Sequence, residues 1–76
     1  MTGDLIIFNY DTYCMEESQE YGTINACIAS GNVGIVVGKY CKDPIINLDA
    51  YEVLIGDRVV FDVDASSFTS LGDDKC

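Results

Sequence analysis

Histidine and tryptophan are absent from this 76-residue chain, proline occurs once, and four Lys and Arg stand against thirteen Asp and Glu. Each scarcity excludes something. Without histidine the usual general base is missing, and neither a Ser–His nor a Cys–His relay can be built. Cys14, Cys27, Cys41 and Cys76 contain no C-x-x-C knuckle and no histidine can complete their set, so structural zinc is not expected. With so few cations, at a formal net charge of −9, there is nothing to cluster against phosphate. Direct nucleic-acid binding and attachment to an anionic membrane surface are therefore not expected. No apolar run approaches the roughly 18–20 residues that span a bilayer. Met1 to Asp4 is acidic rather than basic and precedes only a short apolar run, which is not the pattern of a secretory signal. The expected location is cytoplasmic, and four reduced thiols are expected in place of the two disulfides that secretion would imply.

Phosphate-cradling loops are missing too. Gly31, Gly34 and Gly38 lie in or beside a strand and not at the start of a helix. The carboxylate pairs Asp62/Asp64 and Asp73/Asp74 lack the spacing of a calcium loop. A domain this small rarely supplies the cleft that paired carboxylates need for glycoside chemistry. The expectation is a non-enzyme without a cofactor.

What is present is a core. Hydrophobic residues make up 49%, with five Tyr and three Phe, enough for one small domain over 1–72 and a polar tail over 73–76. Leu5 to Tyr10 reads as a first strand. Residues 11–22 are polar and acidic, with Glu16, Glu17 and Glu20 together, and read as a long loop or a single helical turn. Thr23 to Ala29 alternates loosely and reads as a short strand, and Ser30-Gly31-Asn32 as a turn. Val33 to Cys41, Ala50 to Ile55 and Val59 to Val63 are β-branched and aromatic runs. Pro44 breaks the first from the second. Asp64 to Phe68 reads as a 3₁₀ turn that returns Phe68 to the core, before a last short strand over 69–71.

Side-chain parity bears on the hairpin at Gly56-Asp57. A two-residue loop mixes Glu52 with Phe61 on one face. A three-residue loop over 56–58 places Tyr51, Val53, Ile55, Val59, Phe61 and Val63 on one apolar face, so burial favours it.

Gly3-Asp4-Leu5, Gly34-Ile35-Val36, Tyr51-Glu52-Val53-Leu54 and Ser66-Ser67-Phe68 carry a likeness over about two thirds of the chain. In order and spacing the chain resembles the small SH3-like and KOW-like β-barrels, and short bacteriophage proteins of unassigned role. The likeness implies a mainly β fold: an SH3-like antiparallel barrel of about five strands, with a long acidic loop after the first. The acidity departs from the basic, RNA-binding barrels, so that activity is not carried over.

The expected function is an acidic protein-interaction module, a phage accessory protein that binds a host or phage protein with a basic surface in the host cytoplasm. Alternatives are a DNA-mimic inhibitor of a nucleic-acid-binding protein such as a defence nuclease, and a small structural virion component. Self-association through sheet edges fits either architecture. The partner-facing residues expected are Glu16, Glu17 and Glu20, then Asp62 and Asp64, with Tyr13 and Tyr21 lining a shallow groove. The plainer reading is that the charge keeps a small domain soluble.

Overall fold

The computed structural model describes residues 3–71. The expected polar tail over 73–76 lies outside the described residues. Strands β1 (Leu5–Phe8), β2 (Thr12–Ser18), β3 (Gly22–Ile28), β4 (Val33–Asp43), β5 (Leu48–Ile55), β6 (Arg58–Val63) and β7 (Phe68–Ser70) form one antiparallel sheet, ordered β3-β2-β6-β5-β4-β1-β7. A single 3₁₀ turn, Ala65–Ser67, precedes β7. The chain is mainly β, as its β-branched runs require.

Two expectations are corrected. The acidic segment after the first strand is not a loop. It forms a hairpin whose strands pair without interruption from Thr12↔Ile28 to Ser18↔Gly22. Alternation is the cause: Thr12, Cys14, Ala26 and Ile28 are buried beneath the polar residues between them. Its turn is closed by Ser18, whose Oγ accepts from the backbone N–H groups of Glu20 and Tyr21. Gly22 then takes φ 75°, which a side chain would resist.

The strand read over 23–29 is present as β3, and β2 is the unexpected one; there are seven strands where about five were expected, and the ladder does not close on itself: β3 and β7 remain edges. One face of the sheet nevertheless encloses a core. Ile6, Phe8, Val36, Val53, Val60 and Val63 are fully buried. Phe68, returned by the 3₁₀ turn, meets the edges of Tyr51 and Phe8 at ring distances of 5.4 and 6.4 Å. Irregular pairing between Val36 and Gly38, and again between Cys41 and Asp43, bends the long β4. Gly34 serves close approach: a Cβ there would lie 2.6 Å from Val53 Cγ1 and 2.9 Å from the Leu54 carbonyl oxygen.

The β5–β6 register is the third correction. Ile55 pairs Arg58, Leu54 pairs Val59 and Val53 pairs Val60, so the loop is the two-residue Gly56-Asp57. Gly56 has φ 62° at the first loop position, as a type II′ hairpin asks. Further along, Tyr51 still pairs Val63, because an extra residue is absorbed between them. Asp62 takes φ 65° in this bulge, a conformation that aspartate tolerates better than most residues. Val60 and Val63 therefore point inward, whereas Val59 is exposed and Phe61 half-buried.

Candidate functional site

The corrected register builds a surface. With Val53 and Val60 facing the core, their neighbours Leu54 and Val59 face out, directly opposite one another. Leu54 also pairs Ile35, and Ile35 pairs Leu5. Val59, Leu54, Ile35 and Leu5 thus make an apolar row across β6, β5, β4 and β1. Three strand spacings make it roughly 14 Å long. Val59, Leu5 and Ile35 keep 47%, 43% and 39% of their surface exposed, and Leu54 is half-buried. Val33 and Val37 flank the row on β4, also exposed.

One carboxylate shares the face of this row, and two more stand close to it in sequence. Glu52 shares the outer face two residues from Leu54, and a Cβ on Gly38 would fall 2.5 Å from its Oε1, so the side chain lies over β4. Asp57 stands in the turn beside Val59, and Asp4 precedes Leu5. The three described cations are engaged elsewhere: Arg58 Nη2 with Glu16 Oε1 at 2.7 Å, Lys42 Nζ with Asp62 Oδ1 at 2.6 Å, and Lys39 Nζ with Asp49 Oδ2 at 3.7 Å. Among the described ion pairs none involves Glu52, Asp57 or Asp4.

The residues singled out from sequence are placed apart. Glu16 and Glu17 are adjacent in β2 and point to opposite faces. Glu16 accepts two hydrogen bonds from Arg58, which hold its carboxyl below the ordinary glutamate range. Glu17 stays on the outer face and accepts from Thr23 Oγ1 at 3.0 Å. Glu20 and Tyr21 occupy the exposed tip of the hairpin. Three acids that look like one cluster are dispersed by the strand.

Asp62 and Asp64 share a cleft of about 140 Å³ with Lys42, Asp49 and Leu48. The hydrogen bond from Lys42 to Asp62 raises the lysine pKa, so this corner is a closed ion pair at neutral pH. Asp64 accepts from Ser66 Oγ at 2.7 Å, which anchors the 3₁₀ turn. Tyr13, exposed on the outer face, shares a shallow depression with Met15, Asn25 and Asp62. Tyr13 and Asp62 are therefore the two expected residues from separate elements that the fold brings together. Tyr10, at the first bend, reaches Ser66 Oγ at 3.3 Å.

Cys14, Cys27 and Cys41 are all free thiols. Burial pushes the Cys14 thiol up, so it stays protonated. Among the described residues, no group of three or more Cys, Asp or Glu side chains could hold a metal ion. No described helix is long and apolar enough to cross a membrane. No family model, curated protein or solved structure matches this chain.

The apolar row was missed from sequence because the three-residue loop sends Val59 inward. One signal could have found it. Gly followed by another residue in a tight hairpin is itself the mark of a two-residue loop.

Proposed function

We propose that this chain is a non-enzymatic, acidic protein-interaction module that binds its partner through the outer face of the sheet. The observation that carries it is the apolar row Val59–Leu54–Ile35–Leu5, exposed across four strands with Glu52 on the same face. Contiguous apolar surface with a polar rim is what protein interfaces use at their centres. Glu52 and the net charge of −9 choose the partner's sign. An apolar patch bordered by lysines or arginines complements it, and an acidic surface is repelled. The reading agrees with a phage accessory protein acting on a basic host or phage protein in the host cytoplasm. It also agrees with an SH3-like ancestry, supported by the long hairpin after β1 and the 3₁₀ turn before a short last strand.

The decoy reading draws less support. A phosphate mimic needs free carboxylates at regular spacing, yet Glu16, Asp49 and Asp62 are engaged with cations of their own chain.

The test is capture from a host extract, with mass-spectrometric identification and direct measurement on the purified partner. Ile35→Glu and Leu54→Ser should each weaken binding about tenfold or more. Glu17→Lys and Glu20→Lys should change it little, and affinity should persist as salt rises. Binding that survives Ile35→Glu and collapses with salt would replace this reading with the decoy.

A further inference from the structure

The two edges of the sheet differ in kind. Edge β7 is three residues long. Edge β3, Gly22–Ile28, runs seven residues, carries no charge and no proline, and pairs β2 in unbroken register. Those are the devices by which sheets protect an edge, and β3 has none of them. No backbone group of β3 finds a partner beyond β2 among the described residues. The chain spends thirteen carboxylates elsewhere, while this strand stays neutral.

Two acids beside it are drawn back, while Glu20 stands exposed in the turn before Gly22. Glu17 is held by Thr23 on its own hairpin, and Asp11 Oδ1 accepts the backbone N–H of Ser30 at 2.9 Å. Neither projects across the edge from a free side chain.

We infer that β3 is a dimerisation edge, and that its occupant is β3 of a second copy, paired antiparallel about a two-fold axis at Asn25. The sequence of the strand is self-complementary in that register. Ile24 stands opposite the partner's Ala26, Ile28 opposite the partner's Gly22, and Thr23 opposite the partner's Cys27, so a large residue meets a smaller one in each pair. Asn25 meets its own copy, where an amide can both donate and accept. Ile24 lies on the core face, and 36% of its surface is open at the rim of the sheet. The second strand covers it and continues the core across the axis. The unpaired edge N–H and C=O groups supply the ladder. This pairing is independent of the apolar row and leaves that face open.

Charge sets the signature. Two copies at −9 each repel at long range, and salt screens this repulsion. Dimerisation must therefore strengthen with ionic strength, whereas capture through the apolar row changes little. Sedimentation of the full chain, from micromolar to millimolar concentration at low and high salt, should show a monomer–dimer equilibrium shifting to dimer as salt rises.

Asn25→Asp and Asn25→Lys should each weaken the dimer about tenfold or more, because either places like charges face to face. An equimolar mixture of the two variants should restore it. In chains with Cys27, Cys41 and Cys76 changed to Ser, Asn25→Cys should cross-link under oxidised glutathione, since opposed residues in such a ladder lie within disulfide reach. Val59→Cys in the same background should not. Circular dichroism shows that each variant is folded. A monomer under every condition, a dimer indifferent to both charged variants, a mixture without recovery, or cross-linking equal at positions 25 and 59 would each overturn the assignment.

Discussion

The β2–β3 hairpin and the rest of the sheet are built to different rules. The strands β1, β4, β5, β6 and β7 share a core of large side chains, with Ile6, Phe8, Val36, Val53, Val60, Val63 and Phe68 all buried. The hairpin contributes Thr12, Cys14, Ala26 and Ile28, which are smaller apart from Ile28. It joins the sheet through two register pairs, Met15↔Phe61 and Glu16↔Val60, against seven pairs within itself. Both regions share one core, to which the hairpin brings Cys14, Ala26 and Ile28 and therefore less side-chain volume. Cohesion that differs so much between neighbours makes the hairpin the first part to open.

The sharpest way to break this contrast is to empty the body's core. Phe8→Ala should cost about 3–5 kcal/mol in urea unfolding, out of a total of the order of 5–10 kcal/mol for a domain this size. Gly34→Ala comes next, about 1–3 kcal/mol, because the added methyl meets Val53 and the Leu54 carbonyl across packed strands. Cys14→Ala should cost about 1 kcal/mol in global unfolding. Native-state hydrogen exchange should show the β2 and β3 amides exchanging through an opening below the global free energy, and this variant should lower that opening further. Equal protection of hairpin and body would dissolve the distinction.

Thiol chemistry sharpens the same contrast inside the hairpin. Cys27 is exposed and Cys14 buried with a raised pKa. Iodoacetamide at mildly alkaline pH should label Cys27 and Cys41 first, and Cys14 only at the rate at which the hairpin opens.

The smallest effect belongs to the ion pair that joins the two regions. The lowered pKa of Glu16 means that its pairing with Arg58 stabilises the fold above the ordinary glutamate range, near pH 4.3. That contribution is lost as pH falls through the lowered folded value. Wild type should therefore lose stability relative to Glu16→Gln on acidification below about pH 4.3. Parallel thermal melts of the two proteins measure the difference.

Much of the body was legible, because Val, Ile, Tyr and Phe gather where strands run, and Gly, Pro and Asp stand between them. Even the 3₁₀ turn that seats Phe68 could be read from Asp64-Ala65-Ser66-Ser67. In the hairpin β3 was legible and β2 was not, because the inward residues are small or ambivalent and Glu16, Glu17 and Glu20 dominate the segment over 11–22. A threonine, a cysteine and an alanine signal burial weakly. The β5–β6 turn taught a different lesson. Burial argued for a three-residue loop with Tyr51, Val53, Ile55, Val59, Phe61 and Val63 facing inward, whereas the glycine at the first loop position fits a two-residue loop. The two-residue loop forms and Val59 turns outward, while the bulge at Phe61-Asp62 reverses the alternation partway along β6 and returns Val63 to the core opposite Tyr51. No composition rule announces a bulge carried by aspartate. The apolar row was hidden by that same reversal, since Val59 belongs to the outer face only when the short loop is accepted.

That spare residue also governs how β6 can change length. Removing Asp62 alone would take out the bulge: Val60 and Val63 would stand two residues apart in plain alternation, and Val63 would still face the core opposite Tyr51. Losing two adjacent residues there would instead place Val63 directly after Val60 and turn it toward water. A single-codon deletion at position 62 should consequently be more forgiving than a paired one.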